Sequence, residues 1–148
     1  MQLKQQILKF KRIQSHYQRV LDVMTTQLAL LNKNVVRARE DLEHAESRLR
    51  ATEQRLASSR TTDMNWEVGG QLLVDLNKER NDKFQQLSEA SEAFNYQRSL
   101  VENESARIDS LEKLVQGKSE TLAYQQRRTD QLTADEQYLQ SSFPRGNQ

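Results

Sequence analysis

Apolar residues recur along the first arm of the chain at a spacing that alternates four and three. The series runs Leu3, Ile7, Phe10, Gln14, Tyr17, Leu21, Met24, Leu28, Leu31, Val35, Ala38, Leu42, Ala45, Leu49, Thr52, Leu56. Only Gln14 and Thr52 break the apolar rule. That period, kept over many heptads, predicts a coiled-coil helix rather than a globular amphipathic one. No Gly or Pro occurs before Gly69, so the pattern predicts one helix over about 2–60, roughly 90 Å long. The seam is bulky at Phe10, Tyr17, Leu21 and Met24. It is small from Ala38 to Ala45, where a partner helix can approach closely. Gln14 either fixes register, as buried polar residues do in coiled coils, or marks a partly wet seam near the helix end.

A second series with the same spacing begins at Leu73. It continues through Leu76, Arg80, Lys83, Leu87, Ala90, Phe94, Gln97, Val101, Glu104, Ile108, Leu111, Val115, Lys118, Leu122, Gln125, Thr129, Leu132, Glu136 and Leu139. Polar residues recur in it, and Leu72, Phe84, Leu100 and Leu114 flank it, so this stripe is wider and less strict. Gly117 loosens it locally. Pro144, in the Ser-Ser-Phe-Pro-Arg-Gly tail, predicts an end near 141 and a tail over 142–148.

Between the two series lies Thr-Thr-Asp-Met-Asn-Trp-Glu-Val-Gly-Gly, residues 61–70. Thr61, Thr62, Asp63 and Asn65 are N-cap types, which predicts a turn over 61–65 and a second helix over about 66–141. Gly69-Gly70 weakens the opening turn by about 1 kcal/mol each relative to Ala, so a start after Gly70 is the other option. Folding the arms back about residue 63 brings the N-terminus beside roughly residue 125, at the helical rise. The expected fold is all-α: a single domain over 1–148, forming a long antiparallel two-helix coiled-coil hairpin with a single-helix C-terminal overhang. A parallel dimer of one continuous helix is the alternative, and the glycines and caps argue against it. On the hairpin, Trp66 either anchors a partner or closes the seam, and Leu132, Tyr138 and Leu139 lie on the overhang.

Composition fits a thin seam. Charged residues make up 29% and hydrophobic residues 35% of the chain, and there is no Cys. A disulfide framework and a thiolate metal site are therefore excluded. The net charge of +1 gives no global field for nucleic acid. No run of about 18 apolar residues exists to span a membrane, and Lys4, Lys9, Lys11 and Arg12 interrupt any N-terminal signal core. These features imply a soluble protein. The net charge conceals a local excess: residues 1–20 carry Lys4, Lys9, Lys11, Arg12 and Arg19 and no acid. Such a helix is either a solvated face or a docking face, and of the docking options an acidic protein suits it better than a membrane, because glutamines dilute the apolar face.

No catalytic constellation is present. His16 and His44 are far apart, and Gly69-Gly70 lacks the Lys-Ser/Thr of a phosphate loop. The acidic residues are interspersed with Lys and Arg, as on a solvated coiled-coil face. The chain reads as a non-enzyme with no cofactor and no metal, working through its surface.

Its length, its two-helix plan, Asn65-Trp66 followed by Gln71-Leu72-Leu73 and Leu76, and the stretch Leu111-Glu112-Lys113-Leu114 … Arg127-Arg128 … Gln131 … Asp135-Glu136 resemble the central-stalk protein of the flagellar and virulence type III secretion export apparatus (the FliJ/SctO family). The resemblance covers nearly the whole chain. It implies a cytoplasmic protein at the inner face of the inner membrane, peripheral to it through partners. It implies a terminal end that enters and activates the hexameric export ATPase, a region after the turn that contacts the cytoplasmic domain of the export gate, and in some members a contact with export chaperones. On this chain the gate stripe would be Leu72, Leu76, Glu79 and Lys83, with Trp66 beside it. The ATPase contact would be Arg127, Arg128 and Gln131 with Lys9, Lys11 and Arg12, and with Leu132 on the same overhang. The chain departs from the family pattern at Gln131-Leu132-Thr133, where a basic residue is usual, and at Glu79, where a smaller residue is easier to bury. A generic coiled-coil scaffold or tether acting by oligomerisation is the rival reading. A nucleic-acid or membrane-surface binder using the basic helix is a third.

Overall fold

Two helices account for every described residue of the computed structural model: α1, Gln2–Ser58, and α2, Asp63–Gly146. Backbone is described for residues 2–58 and 63–146, and side chains for 2–58 and 67–141. No strand occurs among them. The helices pack against each other as an antiparallel hairpin, with the two four-three series facing inward. Each position of the first series, from Leu3 to Leu56, is buried or half-buried, and so is each position of the second from Leu73 to Leu122. The buried apolar residues among those described are few: Ile7 near the start of α1, Val35, Ala38, Ala45 and Leu49 further along it, and Ile108 and Val115 on α2.

The chain divides into two compact units where the sequence predicts one domain over 1–148. A terminal unit comprises Met1–Leu21 with Asn103–Gln148, and a central unit comprises Asp22–Glu102. In the central unit the antiparallel register is read from three contacts. Gly69 lies against Leu56, Arg48 pairs with Glu79, and Gln97 Nε2 donates to the Met24 carbonyl at 3.1 Å and to Gln27 Oε1 at 3.3 Å. That register brings Arg80 level with Ala45, and Lys83 level with Leu42. The small Ala45 thus faces a long basic side chain whose stem can cover apolar surface, although the Arg80 Nε is buried without a hydrogen-bond partner.

In the terminal unit the same antiparallel sense holds. Arg107 stands 5.7 Å over the Tyr17 ring, and Lys118 stands 5.7 Å over the Phe10 ring. Lys118 Nζ donates to Gln6 Oε1 at 3.2 Å. A lysine can therefore occupy a seam position: its ammonium stands over an aromatic face and donates to a polar neighbour.

The boundaries of α2 differ from the expected ones at both ends. α2 is already helical at Asp63 rather than 66, and it runs through Gly69 and Gly70 as the expected 66–141 helix does. The reason is phase: Gly69 stands four residues before Leu73, on the seam, and is buried. Gly69 is a close-approach point, with Leu56 against it. At the other end α2 is helical to Gly146 rather than to 141, with Pro144 inside its last turn. A proline there removes the single ladder bond to the Gln140 carbonyl, and that residue is open to solvent, so the cost is smaller than in a helix interior. α1 is helical to Ser58, and the expected bound at 60, like most of the turn before Asp63, lies outside the described residues. Ser58 Oγ donates to the Arg55 carbonyl at 3.2 Å, and Arg55 lies in the last turn, where a cation suits the helix dipole.

Candidate partner-binding surfaces

The overhang follows from the seam. Beyond Leu122 the described residues of α1 do not cover α2, and every residue from 123 to 141 is exposed. Its apolar positions are therefore bare: Tyr124 is 57% exposed, Leu132 57%, Tyr138 71% and Leu139 52%. Arg127, Arg128 and Gln131 are exposed beside them, and with Tyr124 they line one shallow groove of about 410 Å³. Tyr124 is the member that sequence reading missed. Its signal was available: it stands three and four residues before Arg127 and Arg128, on the same helical face.

Lys9, Lys11 and Arg12 are exposed on α1 of the same unit. Lys11 and Arg12 line a second groove, of about 280 Å³, with Leu8, Ser15 and Arg19. Lys9 does not line it. The terminal unit as a whole carries eleven Lys and Arg against seven Asp and Glu, a net +4. The central unit carries eleven against fourteen, a net −3. The chain's near-neutrality is thus the sum of two opposite units.

The stripe expected to face an export gate is divided by the hairpin. Leu72 is 46% exposed. Leu76 and Lys83 are seam positions, half-buried against α1, and Glu79 is half-buried and ion-paired with Arg48. The side chain of Trp66 lies outside the described residues. Among the described side chains near the start of α2, the central unit exposes Val74, at 60%, and, together, Leu72 and Val68, the latter at 71%. Val68 and Leu72 are four residues apart and share a face. Val68 was missed because it was assigned to a fraying turn.

His16 contacts the Tyr17 ring at 5.9 Å, and His44 is exposed. Among the described residues no cluster of three or more His, Cys, Asp or Glu could hold a metal ion, and no helix is long and apolar enough to cross a membrane. Comparison with protein-family models, with curated proteins and with solved structures finds no match to this chain.

Proposed function

We propose that this protein is a central stalk and coupling protein of a type III export apparatus. It catalyses no reaction of its own. It works at the cytoplasmic face of the inner membrane, where its terminal end engages and activates the export ATPase hexamer and its central unit meets the cytoplasmic domain of the export gate. Export chaperones are a further class of partner. The observation that carries this reading is the overhang. A helix that continues uncovered beyond its hairpin partner, exposing Arg127, Arg128, Gln131 and Leu132, is narrow and only weakly apolar. It can lie against the inner wall of a ring without the large hydrophobic contact that would fix it permanently. The net +4 of its unit favours a ring lumen of acidic character.

The test is removal of residues 127–148. The truncated chain should remain a helical hairpin and should no longer stimulate a cognate export ATPase. Retained stimulation would remove the overhang from the mechanism. Leu72→Ala should weaken gate binding without affecting the ATPase. It is a cleaner probe than a change at Leu76, which also packs in the hairpin.

A second reading, a coiled-coil scaffold acting by oligomerisation, is favoured by Phe84 and Tyr96, which stand 62% and 69% exposed on the central unit. The mass of the chain in solution at micromolar concentration separates the two. A monomer fits the stalk, and a stable higher species fits the scaffold.

A further inference from the structure

We propose that the α1 face formed by Lys4, Leu8, Lys11, Arg12, Ser15 and Arg19 is a docking groove for a helix of another protein that carries an acidic ridge. The argument starts from helix geometry. Residues four apart form ridges, and the space between adjacent ridges receives the ridge of a packing helix. Here Lys4, Leu8 and Arg12 form one such row, and Lys11, Ser15 and Arg19 form the next. The groove between them is the 280 Å³ feature lined by Leu8, Lys11, Arg12, Ser15 and Arg19.

The chemistry of the rows is ordered. Their middle positions are an exposed leucine, Leu8 at 51%, and the small Ser15. Their ends are four cations: Lys4, Arg12, Lys11 and Arg19. An apolar and small centre with a charged rim is the anatomy of a protein interface. The rim has one sign only. None of the four cations takes part in an ion pair among the described residues, and α1 has no acidic residue before Asp22. Its first described turn has no acid either, so Lys4, in that turn, sits against the positive end of the helix dipole. That arrangement adds nothing to the helix's own stability and is relieved by an external negative charge.

The occupant follows. A membrane surface is disfavoured because the long apolar seam of α1 is already covered by α2, which leaves Leu8 as the groove's one exposed aliphatic side chain. Nucleic acid would use the cations but has no use for an apolar centre between them. A helix with an apolar residue at its contact point and Asp or Glu three or four residues to either side satisfies both features. The inference does not rest on the stalk reading. If the ATPase ring is the partner, this ridge belongs to the ring, and if the overhang proves irrelevant to an ATPase, the groove still stands.

The test uses the full chain and a fluorescent, helical 21-residue peptide with a central Leu flanked by Glu at i±3 and i±4. Its companion has every Glu replaced by Gln. Anisotropy at moderate salt should show the acidic peptide binding at least tenfold more tightly than its companion. Arg12→Glu with Arg19→Glu should reduce binding at least tenfold. Leu8→Ala, which changes no charge, should reduce it about threefold to fivefold. The control pair Lys33→Glu with Arg37→Glu, on the central unit, should leave it unchanged. Circular dichroism confirms that each variant stays helical. Three outcomes would overturn the proposal. The first is no effect of Leu8→Ala, which reduces the face to diffuse charge. The second is competition by duplex DNA or phosphatidylserine vesicles as effective as that of the acidic peptide. The third is self-association of the unliganded chain through a contact that Arg12→Glu with Arg19→Glu abolishes, which makes the groove an interface between copies.

Discussion

Gly69 of α2 lies directly against the Leu56 side chain of α1. A β-carbon at position 69 would overlap the end of that leucine and stand 3.2 Å from its Cγ. Gly70, one residue on, has nothing within 4 Å of the same added atom. The two glycines therefore differ in kind, although they are neighbours in one helix. Gly70→Ala should gain about 1 kcal/mol from helix propensity. Gly69→Ala has the same intrinsic gain, but it must displace Leu56 and should fall below Gly70→Ala by about 1 kcal/mol or more. In a Leu56→Ala background that gap should close. Thermal unfolding of the four variants, followed by helical circular dichroism, decides it.

Arg48 and Glu79 make the ion pair recorded between α1 and α2 of the central unit. The side chains are 56% and 34% exposed, so the pair contributes only about 0.2–1 kcal/mol in solvent-screened surroundings. A double-mutant cycle with Arg48→Ala and Glu79→Ala should return a coupling energy in that range, smaller at high salt. Exchanging the two residues should restore most of it. A coupling well above that range would mean that the pair is more desolvated than its exposure indicates. The pair also affects any partner-binding experiment at Glu79, because a change there alters the hairpin as well as the surface.

Gln97 occupies a seam position and spends its amide on α1, at the Met24 carbonyl and Gln27 Oε1. That carbonyl lies in the regular ladder of α1, so removing the side-chain donor orphans little. Gln97→Leu should raise stability by about 1 kcal/mol, because an apolar residue replaces a half-buried amide whose net hydrogen-bond contribution is small. The cost should appear as lost specificity: a more uniform α2 seam tolerates other partners and registers. Sedimentation at rising concentration should show more self-association for the variant than for the parent. A variant that is both less stable and strictly monomeric would contradict this account.

The four-three spacing made the fold legible because each seam residue from Leu3 to Leu56 had to face something continuous. The place where the second series loses its cover, after Leu122, followed from folding one arm over the other. The boundaries were less legible because they depended on propensity alone. Gly69 and Gly70 were read as a weakened turn, yet seam phase and tertiary packing outweigh a cost of about 1 kcal/mol per residue. Surfaces were harder still. The stripe through Leu72, Leu76, Glu79 and Lys83 came from the family resemblance, whereas the four-three series had already put Leu76 and Lys83 on the seam and Leu72 beside it, as the burial of the three shows. The groove containing Leu8 and Ser15 was hidden for the opposite reason. A count of charges finds the cations around it but not the small and apolar residues between them.

Separation of the overhang from the hairpin has a direct thermodynamic consequence. Every residue from 123 to 141 is exposed, so this segment contributes almost no burial to the unfolding equilibrium. Ending the chain after Gln126 should lower the total helical signal in proportion to the residues lost and shift Tm by no more than a few degrees. Ile108, 6% exposed, lies on the covered part of the same helix. Ile108→Ala should cost about 2–4 kcal/mol through lost burial and the cavity left behind, and in a thin seam neighbouring layers supply little compensation. The comparison separates two roles for one helix. Before Leu122 its residues hold the hairpin, and beyond it they are free to meet a partner. A truncation that lowers Tm as much as Ile108→Ala would show that the overhang is covered in solution, by another copy of the chain, and would redirect the search for its partner accordingly.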